Sequence, residues 1–193
     1  MNIKEFSHNL LNLYQEMSST FSTYQNSTGW ACVNACGKCC QNPEVEASLY
    51  EMIPMALKIY EEGLFEEWIE KLETTEKEIC LAFQPDQVEG QGKCVFYDER
   101  PGVCRMFGVA GYYNKKHEVT LSICKVIRDF HSIKEIPKGL DSINTPIIAD
   151  WSYRMSSLDQ RLMQEKLPIN EALKRALYKI ALYSQFQLQD SKE

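Results

Sequence analysis

Eight cysteines are the residues of this chain whose type and spacing could do chemistry, and four of them fall within nine residues, in the run "CVNACGKCC". The cysteines are Cys32, Cys36, Cys39, Cys40, Cys80, Cys94, Cys104 and Cys124. Thiolates bind zinc and the iron of iron–sulfur clusters, form disulfides, and act as redox dithiols. The spacing of the cysteines and the composition of the chain indicate which of these chemistries the four neighbouring thiols serve.

The composition of the 193-residue chain favours metal or redox chemistry over disulfides. With 44% hydrophobic residues, the chain can bury a core without covalent cross-links. Its N-terminus lacks the basic and apolar regions of a signal peptide, and no apolar run approaches the roughly 18 residues of a membrane span. We therefore expect a cytoplasmic protein without a membrane partner, in a compartment that keeps thiols reduced. The net charge of −6 argues against nucleic acid as a partner.

The spacing of the cysteines predicts ligands for one or two metal centres. Cys36 and Cys39 form a two-residue knuckle, a common chelate for a tetrahedral ion, and Cys32 lies four residues before the knuckle. Cys40 is adjacent to Cys39, so we expect it either to reach a second centre or to be a buried thiol. Two arrangements remain open: two four-cysteine centres with ligands from both halves of the set, or one centre with the other cysteines in the core.

The rest of the chain is typical of helices around an irregular cysteine-rich segment. Apolar residues at three- and four-residue steps predict helices over residues 2–24, 43–63, 64–79, 147–165 and 167–187, with a brief one over 125–133. Pro54 is expected to kink the second helix, and Asn170 to cap the last. Glycines and prolines predict loops in residues 81–125, with a hairpin that turns at 113–118.

These elements predict a mainly α fold with a short irregular or β cysteine-rich segment. We expect one domain over residues 1–193, organised around the metal–cysteine site or sites. Its metal-binding core is residues 30–125, and residues 1–24 and 142–188 supply the flanking helices. Several cysteines have a basic neighbour that could offset the net charge of about −2 of a four-thiolate centre. These neighbours are Lys38, Lys93, Arg105 and Lys125.

The order of the cysteine motifs resembles a known family. The run "CVNACGKCC" is followed by Cys80, then by "CVFYDERPGVCRMF", and then by Cys124. This order resembles the YkgJ-type CxxCxxCC cysteine-cluster family, described as a zinc- or iron-chelating domain, whose second motif reads CPFL, a spacer and CxIYxxRPxxCRxF. The residues that match the second element are Phe96, Tyr97, Arg100, Pro101, Cys104, Arg105 and Phe107. Leu81 and Ala82 replace the Pro and Phe of CPFL, and the resemblance covers residues 30–125.

The resemblance implies a metal cofactor, either a [4Fe–4S] cluster or Zn²⁺, bound by the eight cysteines at one or two centres. We expect Arg100 and Arg105 to bind this cofactor, while no residue is assigned a catalytic role. The predicted function is metal binding that serves electron transfer or supports a protein partner of unknown identity. His131 could donate to a centre near Cys124.

Other functions are open from the same residues. The family is distantly related to flagellin lysine methylase, so the chain could be an enzyme whose cluster is structural or orients a methyl donor; no donor-binding glycine loop is visible. A zinc-stabilised interaction module is a further alternative. Cys32, Cys36 and Cys39 also have the spacing of radical S-adenosylmethionine enzymes. Lys38, however, stands where those enzymes usually have an aromatic residue, and no repeated βα units follow.

Overall fold

The computed structural model describes residues 2–76, 78–88, 91–137, 139–141 and 143–190, and about half of the chain is helical. The α-helices are α1 (Ile3–Thr28), α2 (Ile53–Glu61), α3 (Phe65–Thr74), α4 (Gly102–Arg105), α5 (Lys125–Phe130), α6 (Ile148–Leu158) and α7 (Ile169–Asp190). The strands form antiparallel pairs: β1 (Glu46–Ala47) with β6 (Leu167–Pro168), β2 (Phe83–Pro85) with β3 (Gly92–Cys94), and β4 (Val109–Tyr113) with β5 (Val119–Ile123). The prediction of a largely helical chain with short strands is confirmed.

The main hydrophobic core is formed by helices that lie on both sides of the cysteine segment in the sequence. In α1, apolar side chains recur at three- and four-residue steps, and Leu10, Tyr14 and Met17 are fully buried. This face packs on α2, which in turn packs on α7. The side chain of Asn2 accepts hydrogen bonds from the first backbone N–H groups and caps α1. None of the helices in the described residues combines the length and apolar character that a membrane crossing requires.

A second, smaller cluster lies under the β4–β5 hairpin. Val109, Leu121 and Ile127 are buried there, and Trp30 and Cys124 pack against them. The hairpin turns within the predicted residues 113–118, and α5 follows as the predicted brief helix. The predicted hairpin and brief helix are therefore confirmed, and together they carry the last cysteine of the set.

The predicted helix over residues 43–63 is wrong in its first half, because α2 begins only at Ile53. The preceding segment pairs with β6 as β1 instead. Ser48 and Glu51 then form a turn in which the Ser48 N–H donates to the Glu51 carboxylate at 2.9 Å and the Glu51 N–H donates to Ser48 Oγ at 3.3 Å. Pro54 lies in the first turn of α2, where its missing N–H is not needed, so it does not kink the helix.

Two other helices end earlier than the pattern predicts. α3 ends at Thr74, and α6 ends at Leu158. After α6 the extended backbone of Asp159 breaks the helix, and its carboxylate accepts the N–H of Arg161 to begin a 3₁₀ turn, Gln160–Met163. Residues 1, 77 and 142, which fall in predicted helical regions, lie outside the described residues.

A buried carboxylate lies between the helical core and the chain that follows α6. Glu51 is only 1% exposed, and its side chain pairs with the ammonium group of Lys166. Its other partner is the Ser48 N–H at 2.9 Å. A buried carboxylate is stable only when its oxygens are paired, so this ion pair contributes to the stability of the core.

Replacement of Lys166 by Met is expected to lower the free energy of unfolding by about 1–3 kcal/mol, because the buried Glu51 loses its charged partner. Chemical denaturation followed by circular dichroism measures the change. Lys58→Met is the matched control, since Lys58 pairs with Glu62 on the surface and its loss should leave stability essentially unchanged. Equal effects of the two substitutions would contradict the importance of the buried pair.

Candidate metal centre

The first cysteine run forms a tight loop that is hydrogen-bonded to β3. Ala35 has a left-handed backbone with φ 55°, a conformation that a residue with a side chain rarely adopts. From this turn the Ala35 carbonyl accepts the Gly92 N–H at 2.9 Å, and Cys36 bridges to Gln91. The "CGKC" knuckle is therefore attached to the strand that ends at Cys94.

An aromatic ring fills the space between the knuckle and β3. A Cβ atom at Gly37 would lie 2.1 Å from Cε2 of Phe83, and one at Gly92 would lie 2.4 Å from the same atom. Only glycine permits such close approach, so both glycines are required by packing on Phe83. The glycine inside the knuckle was visible in the sequence, but nothing there indicated which ring it faces.

Cys80 is fixed from two sides by hydrogen bonds to the backbone. Its own N–H donates to the Cys40 carbonyl at 3.0 Å. Asn170, in the first turn of α7, accepts the Leu81 N–H at 2.9 Å and donates to the Ile79 carbonyl at 2.8 Å. The side chain of Asn170 thus spans the peptide groups on either side of Cys80, and its predicted capping role stays a prediction. No signal in the sequence connects residues 90 positions apart in this way.

Cys94 and Cys104 approach the same region from β3 and from α4. Cys94 pairs with Phe83 across the β2–β3 ladder, and Val95 N–H donates to the Ala82 carbonyl at 2.8 Å. Cys104 lies in the four-residue helix α4, where its N–H donates to the Pro101 carbonyl at 3.0 Å.

Four thiols, called here the second set, influence one another electrostatically. They are Cys40, Cys80, Cys94 and Cys104. Burial and, to a smaller extent, the charge of Cys94 raise the pKa of Cys80 to about 11. Burial also raises the pKa of Cys104 well above its usual range, with the charges of Cys80 and Cys94 acting in the same direction. The four thiols are therefore near enough for the charge of one to act on the pKa of another.

A first set consists of Cys32, Cys36 and Cys124. The Cys32 and Cys36 side chains are hydrogen-bonded, and burial raises the pKa of Cys32 to about 11, with the charges of Cys36 and Cys124 adding to the increase. Cys124 precedes α5, and its N–H donates to the Gly108 carbonyl at 2.7 Å. His131 lies near this set, with Nε2 at 3.3 Å from the carbonyl oxygen of the residue before Cys32.

Cys39 lies between the two sets. Its charge raises the pKa of Cys32 in the first set and of Cys80 and Cys104 in the second. The side-chain hydrogen bond from Cys40 lowers the pKa of Cys39, and the charge of Arg100 lowers it further. The adjacent cysteines therefore sit where the sets meet.

The arginines that we expect to bind a cofactor occupy different environments. The guanidinium carbon of Arg100 lies 3.8 Å from the ring centroid of Tyr97, and its charge acts on Cys39 and Cys104. Arg105 is buried, and it donates from Nε to the Arg100 carbonyl at 2.9 Å. The other basic neighbours of cysteines, Lys38, Lys93 and Lys125, are exposed. Cofactor binding by Arg100 and Arg105 stays a prediction.

The donor groups fit a thiolate-bound metal, although no ligand geometry is formed. All eight cysteines are free, and in the part of the chain that the structure describes no three Cys, His, Asp or Glu side chains converge closely enough to hold an ion. The organisation of the fold around a metal–cysteine site therefore stays a prediction. Nε of Arg100 is buried without a hydrogen-bond partner among the described residues, and its charge acts on the thiols. A thiolate or sulfide sulfur is an acceptor that this N–H would satisfy.

Comparison with known families identifies the same segment. Residues 31–125, about half of the chain, match the family model CxxCxxCC, described as "Putative zinc- or iron-chelating domain". The matched residues contain all eight cysteines and agree with the resemblance seen over residues 30–125. No curated protein and no solved structure matches the chain.

Gly37→Ala is expected to lower the free energy of unfolding by about 1–3 kcal/mol, because the added methyl group overlaps the Phe83 ring. Chemical denaturation measures the change. Phe83→Leu in the same chain should recover part of the loss, so the double variant should be more stable than the sum of the single effects predicts. Additive losses, or an unchanged stability of Gly37→Ala, would contradict this packing.

Proposed function

Residues 31–125 belong to the CxxCxxCC family, and on that premise we propose that they bind iron–sulfur clusters that exchange electrons with a protein partner. The family description supports the chelation of zinc or iron by these residues. The observation that best supports the proposal is that the charge of Arg100 acts on the Cys94 and Cys104 thiols, while its buried Nε has no hydrogen-bond partner among the described residues. When bound, an iron–sulfur cluster supplies one-electron transfer.

The hydrogen-bond donors around the thiols favour an iron–sulfur cluster over a single zinc ion. Protein sites made of thiolates alone are typical of zinc and of iron–sulfur clusters. A cluster carries sulfides as well as thiolates, so it accepts more N–H hydrogen bonds than one ion does. Among the described residues, the buried side-chain nitrogens that lack an acceptor are Arg100 Nε and Gln41 Nε2, and Gln41 follows Cys40 in the sequence.

The two sets of thiols lead us to propose two centres. Cys39 would complete the first set, and Cys40 would belong to the second, so that each centre has four thiolates. The charges of Cys80 and Cys104 act on Cys40, which supports its place in the second centre. The charge of Cys39 acts on Cys32 as well as on thiols of the second set, which leaves Cys39 to complete the first centre. Adjacent residues that bind different centres would keep the two centres close, which favours electron transfer between them. In the second centre, Arg100 would neutralise part of the thiolate charge.

We also propose that the whole chain is one domain and that it works in the cytoplasm. The hydrogen bonds of Asn170 to the residues around Cys80 support the first point, since they tie α7 to the cysteine segment. The free thiols fit a reducing compartment, where cysteines remain available to metals. A protein partner for electron exchange belongs to the same proposal.

Anaerobic purification followed by metal and sulfide analysis tests the identity of the cofactor. We expect iron and acid-labile sulfide in equal amounts, with the broad sulfide-to-iron absorption of a cluster, and with iron sufficient for two centres. A colourless protein with about two zinc ions would contradict the electron-transfer function and favour the zinc-stabilised module. A protein without bound metal would contradict metal binding itself.

Single substitutions test the division into two centres. Cys80→Ser is expected to remove metal from the second centre alone, and Cys124→Ser from the first alone, so each variant should retain about half of the wild-type metal. Metal analysis of the purified variants measures this retention. Complete loss from both variants would indicate one shared centre, and unchanged metal in either would exclude that cysteine as a ligand.

A further inference from the structure

The last part of α7 presents apolar side chains to solvent. Among residues 169–186 of this helix, whose side chains the structure describes, the last one that is fully buried is Ile180. The helix continues to Asp190, roughly 15 Å further along its axis. Leu182 is 54% exposed and Phe186 is 58% exposed in this part. Helices in proteins are stabilised mainly by the packing of an apolar face, and here the described residues leave that face uncovered.

Three apolar residues of α7, called here the α7 stripe, lie along one side of the helix. Tyr178, Leu182 and Phe186 are four residues apart, so each lies one turn above the one before. Tyr178 is 45% exposed, and about half of each of the other two is exposed as well. The stripe therefore offers roughly 300 Å² of side-chain surface in each copy of the chain.

The first ring of the α7 stripe is already held in place. The Tyr178 hydroxyl donates to Glu73 of α3 at 2.6 Å. Its ring packs edge-on to Phe65, with the two ring centroids 6.3 Å apart. A side chain that is held before binding loses little conformational entropy when a partner covers it. Tyr178 is therefore suited to be a contact residue of an interface.

The part of α7 that carries the rest of the stripe has no charged residue. The sequence between Lys179 and Asp190 is "IALYSQFQLQ", whereas 25% of the residues in the whole chain are charged. Depletion of charge on an exposed surface is typical of the centre of a protein–protein interface. A partner recognised by opposite charge would find no group to pair with along this part of the helix.

The order of the α7 stripe fits a second copy of itself. Leu182 lies between two aromatic residues, so an antiparallel pair of α7 helices centred on Leu182 brings Tyr178 of one copy to Phe186 of the other. Leu182 then meets its own equivalent, as a two-fold interface requires. The same register places Lys179 opposite the uncharged Gln185, whereas a parallel pair would place Lys179 opposite Lys179.

We propose that this chain forms a homodimer through the α7 stripe, with the two α7 helices antiparallel and Leu182 at the two-fold axis. Two stripes bury less area than the roughly 1,200–2,000 Å² of a standard interface, so we expect a weak dimer that depends on protein concentration. The dimer uses no cysteine and no bound metal. Failure of the proposed metal-binding function would therefore leave this inference standing.

Analytical ultracentrifugation of the full chain under reducing conditions, over a wide range of protein concentrations, tests the proposal. We expect a monomer–dimer equilibrium in the wild type. Leu182→Glu and Leu182→Lys should each raise the dimer dissociation constant at least about 10-fold, because like charges then meet at the axis. An equimolar mixture of the two variants should dimerise again, since a carboxylate of one copy then meets an ammonium group of the other. Leu158→Glu, the same change at a 38% exposed leucine that ends α6, is the control and should leave the dimer unchanged.

A wild-type chain that stays monomeric at the highest concentration would overturn the proposal. A dimer that both Leu182 substitutions leave unchanged would overturn it as well, because the contact would then lie elsewhere. If each variant is monomeric and their mixture stays monomeric, Leu182 does not face its own equivalent, and the antiparallel arrangement is wrong. An equal weakening by Leu158→Glu would overturn the assignment of the interface to α7.

Discussion

The backbone hydrogen bond from Cys80 to the Cys40 carbonyl joins two segments that are forty residues apart in the sequence. With the Gly92–Ala35 bond, it attaches the tight loop of the first cysteine run to the later cysteine segment. Backbone groups in such loops need partners, because a buried N–H or carbonyl without one is costly. The two segments therefore satisfy each other, and the cysteines approach as a result. The approach of the two cysteine segments follows from this backbone pairing.

The helices give these loops a fixed frame. Loops with few regular hydrogen bonds have little rigidity of their own, so the turns around Cys80 and Cys104 depend on side chains from helices. Asn170 of α7 binds the peptide groups beside Cys80, and Arg105 ties the turn before α4 to α1. Burial of the helical faces stabilises this frame, and a small number of polar contacts hold the cysteine-bearing turns against it.

The periodicity of apolar residues predicted the helices that depend on local sequence. It failed where a partner far away in the sequence decides the structure. The apolar steps of α1 are a property of one segment, and the turn of the hairpin at Asn114 depends on its neighbours. The helix predicted to start at residue 43 was displaced because β1 finds its partner in β6, about 120 residues later. The eight cysteines could be named from spacing, but the role of Asn170 could not. A capping residue and a residue that holds a distant loop look the same in the sequence.

The contacts of Arg105 with Ser18, and of Asn170 with Leu81, cross the boundaries of the family match. Residues 31–125 carry every thiol, yet each of these contacts needs a helix that begins or ends outside that segment. A fragment cut at the limits of the match would expose the apolar surfaces that α1 and α7 cover and would lose both anchors. The unit recognisable by its cysteines is thus smaller than the unit that must fold. Relatives that keep the cysteine pattern but carry different flanking helices would have to supply equivalent anchors from other sequence.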